Sequence, residues 1–339
     1  MTEPDMSILA IHPGALGDVI LFGHVLASIK QQLTGNVQAP ALGNPQSVPA
    51  RRRDNPQSVR PPHITLVAGG SKARLLAGAG VVDAAVEFDY LPMHELFSDT
   101  PLDQCRLPAM LGQCGRIITC FVEADSLPAR RLMRMCGAGE LTALPIRPPL
   151  GFPGHLTDLW RRQLGLAGRM EPAPWTIPQA WLAEASTALK AMGVDAGGRY
   201  VVIHPGAGSP EKCWAIQRFL DLATSLGTSG MAVVFALGPV EMERWPRERI
   251  SLLRGKAAVL ANAPLTLLAG VLAGAAALVG NDSGAAHLAA AVGAPTVVLF
   301  GPTSPAGFAP LGSSVTCLSG NTMDDITARQ VIDAVKKLC

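Results

Sequence analysis

Apolar residues in this chain fall into short unbroken runs, not the alternating pattern of a half-exposed sheet. Runs at 8–12, 63–68, 84–88, 116–122, 200–204, 232–237, 257–260, 276–279 and 296–300 are rich in Val, Ile, Leu and Ala, and most give way to Gly, Pro, Asn or Asp. Such runs read as strands covered on both faces. Longer segments with helical spacing lie between them, at 19–30, 71–79, 128–136, 155–164, 179–192, 214–226, 241–253, 265–275 and 326–338. Strands that alternate with helices in this way imply parallel sheets in an α/β fold. The stretch 91–111 fits neither period, 141–153 is proline-rich and irregular, and 171–178 reads as a proline-rich connector.

The pattern occurs twice. Ile-His-Pro-Gly-Ala stands at 11–15 and again at 203–207, each time at a strand end before a helix. A strand, a glycine loop at 13–18 and an apolar helix open a Rossmann-like unit, although the spacing is not the G-x-G-x-x-G dinucleotide fingerprint. Two similar α/β domains facing each other are therefore expected. The first spans 1–170, a connecting segment and helix 171–196, the second 197–321, and a final helix 322–339. The stretch 31–62 interrupts the first domain with Pro, Asn, Gln and Arg and a doubled Asn-Pro-Gln-Ser-Val. It reads as a disordered surface insertion, and its Arg51, Arg52 and Arg53 as part of a solvated loop rather than a lipid contact.

Composition narrows the function classes. Among 339 residues, 48% are hydrophobic and 16% charged, with a net charge of +2, too small to argue for nucleic acid. Seven cysteines without a C-x-x-C pair suit a reducing cytoplasm better than a disulfide framework or zinc site. The first twelve residues run from acidic to apolar, the wrong order for a signal peptide. The uncharged stretch 263–280 is expected to be a buried helix running into a strand, not a membrane span.

Candidate chemistry gathers at the strand ends. The stretch 279–303 reads as strand end, polar turn, short helix and second strand. Asn281, Asp282, Ser283 and Gly284 form a turn able to cap the Ala-rich helix, whose free N–H groups and dipole favour an anion. His287, one turn in, either reaches the same ligand or is a satisfied structural group. In His204-Pro-Gly-Ala-Gly-Ser-Pro-Glu-Lys-Cys-Trp214, the backbone of Gly206 and Gly208 is expected to approach a phosphate, with Ser209 donating to it. Lys212 stands at a helix start, where the dipole disfavours it, which points to an anionic ligand. Trp214 reads as packing. Asp18 is either a first-turn dipole residue or a carboxylate free to take a proton from a bound hydroxyl. Glu241 is either a first-turn acid or a partner for ribose hydroxyls. No Asp-x-Asp, Walker, H-E-x-x-H or G-x-S-x-G motif is present, so no metal site is expected.

Gly14-Ala-Leu-Gly-Asp18, the 204–214 segment and Asn281-Asp-Ser-Gly-Ala-Ala-His287, with Leu299-Phe-Gly-Pro-Thr-Ser-Pro305, resemble the heptosyltransferases of glycosyltransferase family 9. The resemblance covers both halves in order. It implies a GT-B fold, two Rossmann-like domains facing across a cleft. It also implies an ADP-heptose donor held by the second domain, with no cofactor, and a lipid-linked lipopolysaccharide-core acceptor held by the first. Peripheral contact with the cytoplasmic face of the inner membrane would follow. Carried over, Asp18 matches the general base and Lys212 the lysine near the donor phosphates. Asp282, Ser283, Gly284 and His287 match the donor loop, and Glu241 an acid near the ribose. Ala207 and Gly208 stand where some family members have hydroxyls. Arg130, Arg131 and Arg134 are candidates for acceptor anions. The expected reaction is one in-line displacement with inversion. Two alternatives stay open: a related transferase using another nucleotide sugar, and a nucleotide-binding protein without catalysis, which would not need Asp18.

Overall fold

The unbroken run at 8–12 becomes the middle of a five-stranded sheet because every residue of it is buried. The structure, a computed structural model, describes residues 7–33, 61–168 and 170–338. The expected insertion at 31–62 lies almost wholly outside these residues, as do Arg51, Arg52 and Arg53. The first sheet holds β1 (Ile8–His12), β2 (Ile64–Ala68), β3 (Ala84–Glu87), β4 (Arg116–Thr119) and β5 (Glu140–Ala143), all parallel, in the order β3-β2-β1-β4-β5. Its helices are α1 (Leu16–Leu33), α2 (Lys72–Gly78), α3 (Leu107–Leu111), α4 (Leu127–Cys136) and α5 (Leu156–Gln163).

A connecting helix, α6 (Gln179–Ala191), leads to the second unit. This runs β6 (Tyr200–His204), α7 (Ile216–Thr228), β7 (Ala232–Leu237), α8 (Pro239–Arg244), α9 (Arg247–Arg254) and β8 (Ala258–Ala261). It continues α10 (Leu265–Ala273), β9 (Ala277–Asn281), α11 (Gly284–Ala291), β10 (Thr296–Phe300), α12 (Pro305–Phe308), β11 (Val315–Ser319) and α13 (Ala328–Leu338). The parallel order is β11-β10-β9-β6-β7-β8. In each sheet the chain reverses its winding at the central pair, β1/β4 and β6/β9. Ligands of such sheets sit in the crevice outside the carboxyl ends at that reversal.

Several expectations are corrected. The 241–253 helix is two helices, α8 and α9, because Pro246 cannot continue the first. The 13–18 glycine loop is shorter than expected: α1 starts at Leu16, so Asp18 lies in its first turn. The irregular 141–153 stretch overlaps edge strand β5, and edge strand β11 was not expected at all. The uncharged 263–280 stretch is, as expected, a helix running into a strand, α10 and β9, and no described helix is long and apolar enough to cross a membrane.

The two halves also share an apolar seam. One continuous apolar core includes Phe22 and Leu26 of α1, Leu189 of α6, Leu272 of α10 and Leu288 of α11. Glycines set how closely α1 and α11 approach. A Cβ on Gly17 would lie 2.8 Å from His287 Cδ2, and one on Gly284 2.8 Å from Leu16 Cβ. The N-termini of these helices, one from each half, are thereby brought to a single place.

This seam and the core beside it make the fold sensitive to acid. Burial, above all, holds His12, His24 and His287 at about 4 instead of 6.5. Lys72 adds to the effect at His12 and His155 at His24. At His287, Asp282 opposes the shift while His155 and His24 reinforce it. Their contribution to stability is fully present above the unfolded value of 6.5. It is lost as pH falls towards 4, because the unfolded chain then binds protons that the folded chain refuses. Three such groups give a slope of up to about 4 kcal/mol per pH unit. The urea midpoint should therefore drop sharply between about pH 7.5 and about pH 5.5. An unchanged midpoint would show that these imidazoles accept protons in the folded state.

Candidate active site

Asp18 projects from the first turn of α1, just beyond the carboxyl end of β1. Desolvation is the largest influence and raises its carboxyl above the ordinary range; the Ala15 backbone N–H, Arg147 and Lys212 pull it down, and Asp282 pushes it up. These neighbours come from both halves, so the residues at 18, 212 and 282 face one crevice. Arg147, in the loop after β5, was not singled out from the sequence, where it stands in a proline-rich stretch without periodicity.

Across the crevice, the Lys212 Nζ donates to Asp282 Oδ2 at 2.9 Å, and the same oxygen accepts from Thr303 Oγ1 at 3.1 Å. Lys212 sits in a short 3-10 turn (Pro210–Lys212) before α7, not in the helix itself. Asp282 follows β9 directly. Ser283 occupies the N-cap position of α11, yet its hydroxyl makes no cap bond, and both Ser283 Oγ and His287 Nδ1 are buried without a partner. The start of α11 thus offers unused N–H groups beside the crevice.

Asn281 holds these loops together, a role that sequence reading had not given it. Fully buried at the end of β9, it accepts from the Trp214 N–H at 3.0 Å and donates to the carbonyls of Pro205 (2.9 Å) and Gly206 (3.3 Å). The signal in the sequence was an amide at a strand end directly before the candidate acid. Replacing it with Leu strands one N–H and two carbonyls, each at about 1–3 kcal/mol. Asn281→Leu should lower the melting temperature by several degrees in scanning calorimetry. An unchanged melting temperature would mean that the 205–214 loop holds its shape without it.

Other expected residues are placed more specifically than their types suggested. Trp214 is packed, its indole N–H on the Ile326 carbonyl at 2.9 Å. A Cβ on Gly206 would collide with the Glu241 carboxylate, so this glycine is required by internal packing, while Gly208 faces open space. The exposed Glu211 carboxyl is held below its ordinary range, first of all by the Ser209 hydroxyl. Glu241 is buried and accepts from the Gly238 N–H at 2.8 Å, capping α8, while it also lines the cavity beside the crevice. That cavity, about 240 Å³, has apolar walls of Leu237, Leu260, Leu265 and Leu268, polar groups from His204 and Ser283, and Leu16 from the other half. Its walls suit a flat aromatic ring. Ala207 and Gly208 divide it from a second cavity of about 480 Å³. Arg131 is tied to the carbonyls of Glu95 (3.0 Å) and Thr100 (2.7 Å) and serves the first domain's own structure, whereas Arg130 and Arg134 are exposed on α4. Among the described residues, no three His, Cys, Asp or Glu side chains converge as metal ligands.

Two parallel-sheet units with opposed carboxyl edges, joined by a connecting helix and lending residues to one crevice, define the GT-B class of architecture. The fold matches a glycosyl transferase family 9 structure from Veillonella parvula over 99% of this chain and 98% of that one, with a TM-score of 0.75 at 20% identity. It also matches an Escherichia coli heptosyltransferase solved with ADP, over 98% and 100%, with a TM-score of 0.66 at 20% identity. The chain belongs to glycosyltransferase family 9 (heptosyltransferase), whose family model matches residues 164–336. Among curated relatives, lipopolysaccharide heptosyltransferase 1 of Pseudomonas aeruginosa is 39% identical over 111 residues, covering 33% of this chain and 31% of that protein. The enzyme of the same name from Escherichia coli O18:K1:H7 is 31% identical over 179 residues, or 51% of each chain. The match thus spans about a third to a half of the length of these relatives.

Proposed function

We propose that the chain is an inverting glycosyltransferase that moves heptose from ADP-heptose to a lipopolysaccharide-core acceptor of the lipid A–Kdo type. The observation that carries this reading is the meeting of Asp18, from one half, with Lys212 and Asp282, from the other, in a single crevice. The nucleoside would occupy the apolar cavity, with Glu241 near the ribose and the diphosphate over the start of α11. Asp18 takes the proton of the acceptor hydroxyl as its oxygen attacks the anomeric carbon. The bond from that carbon to the diphosphate breaks on the opposite face, and the electron pair leaves with the phosphate. Charge on the leaving group grows during this step, so Lys212 and the free N–H groups at 283–284 stabilise the transition state more than the ground state. Lys212 would exchange Asp282 for the phosphate.

The Escherichia coli relative, solved both with ADP and with ADP-2-deoxy-2-fluoro heptose, supports the choice of donor. For the acceptor half, support comes from exposed Tyr90, Phe97, Ile146 and Leu150 on loops around the same edge, which suit an acceptor carrying a lipid at the cytoplasmic face of the inner membrane. The test is incubation with ADP-heptose and a Kdo-bearing lipid A acceptor, read by mass spectrometry, with other nucleotide sugars in parallel. A mass gain of one heptose supports the reading. Transfer only from another nucleotide sugar replaces the donor, and ADP binding without any transfer removes the activity.

A further inference from the structure

We propose that His12 and Lys72 are positioning residues for Asp18, acting together through the backbone of Gly14, whose N–H and carbonyl they hold; this rests on Asp18 being the base. The Gly14 N–H donates to His12 Nδ1 at 3.1 Å, and the Lys72 Nζ donates to the Gly14 carbonyl at 2.8 Å. Both backbone polar groups of Gly14 are therefore fixed by side chains: His12, at the end of β1, holds the Pro13–Gly14 peptide, and Lys72, at the start of α2, holds the Gly14–Ala15 peptide, the one that carries the Ala15 N–H. The next residue, Ala15, supplies the backbone N–H that binds the Asp18 carboxylate. A Cβ at Gly14 would stand 2.6 Å from His12 Cε1 and 3.2 Å from Asp18 Oδ2, so the peptide is pressed against both groups.

His12 is suited to this task only when neutral. Accepting through Nδ1 places the ring proton on Nε2, which is buried without a hydrogen-bond partner. The ring lies 5.3 Å from Phe22 and 5.9 Å from Trp160, and the Trp160 indole is itself anchored on the Pro145 carbonyl at 2.7 Å. Burial chiefly, and the Lys72 charge next, keep the imidazole from taking a second proton. An aliphatic or aromatic side chain would fill this place without stranding a ring N–H, so the histidine is explained by the bond it accepts. Lys72 is half-buried, with Asp89 and Asp18 as its acidic neighbours. It was passed over in the sequence, although it stands at a helix start after a strand and two glycines, the same signal that marked Lys212.

The experiment uses the full chain and four variants: His12→Phe, Lys72→Met, the double variant, and Lys72→Arg. His12→Phe keeps an aromatic ring between Phe22 and Trp160 and removes only the acceptor. Each single change to Phe or Met should lower kcat about tenfold or more, the scale expected when a reacting group is misplaced. ADP affinity should stay within about twofold, because the donor half is untouched. The double variant should be little worse than the poorer single one, since both act on the backbone of one residue. Lys72→Arg should restore most of the rate.

The acid limb of the kcat–pH profile should move to higher pH in the Phe and Met variants, as Asp18 loses its fixed N–H and a nearby cation. The other groups facing Asp18 are Arg147, Cys120, Asp282 and Lys212, and all are unchanged in these variants. Carbon-13 NMR of the aspartate carboxyls, with Asp18→Asn to identify the signal, reads the same shift without any turnover. If the wild-type chain transfers nothing, the functional reading fails while the NMR result still decides whether the peptide is held as proposed. If the wild type is active, an unmoved acid limb, an unmoved Asp18 titration, or losses that multiply in the double variant would overturn the inference.

Discussion

Replacing Asp18 with Asn is expected to lower transfer by about 10² to 10⁴ while leaving ADP affinity nearly unchanged. The amide keeps the size and the hydrogen bond geometry of the carboxylate but cannot accept the acceptor's proton. The same change should raise the melting temperature near neutral pH. Burial lifts the Asp18 carboxyl above its ordinary range, so the folded state binds its proton more tightly than the unfolded chain does. Such a group destabilises the fold as pH rises through its folded value, and Asn removes that penalty. The gain should shrink as the solution is acidified and the wild-type carboxyl becomes neutral. A variant that still transfers within about tenfold of wild type would end the assignment of Asp18 as the base.

Lys212→Met should have the second large effect, about 10² to 10³ in kcat, with a smaller rise in donor KM. The split follows from where charge develops: the departing diphosphate is more negative in the transition state than in the bound donor. The change also leaves Asp282 Oδ2 with Thr303 as its remaining side-chain partner, a carboxylate at the place a phosphate is expected to enter. Adding Asp282→Asn to Lys212→Met should therefore recover part of the ADP affinity without recovering the rate. Steady-state kinetics on the two variants, with ADP calorimetry, would check both statements. A loss confined to KM would mean that Lys212 binds the donor uniformly and takes no part in the chemical step.

The sequence already determined the α/β class, the doubled unit and the strand ends at which Asp18, Lys212, Asp282 and Glu241 stand. Buried parallel strands have to be unbroken apolar runs, and the turns that follow them have to be glycine-rich and polar. Edge strands β5 and β11 escaped because a strand covered on fewer sides needs fewer apolar residues. The break between α8 and α9 is legible in Pro246, which cannot continue a helix.

Tertiary structure alone decided which candidates meet. Arg131 has the right chemistry, but it is tied to backbone carbonyls. Arg147 stands in a stretch with no period to mark it, while Lys72 and Asn281 carry only a helix-start and a strand-end signal; all three matter because the chain returns them beside Gly14, Asp18 and the 205–214 loop. A residue's type and local pattern are written in the chain, but its partner across the crevice is set by how the two sheets are held, here by glycines at 17 and 284 that let α1 and α11 touch.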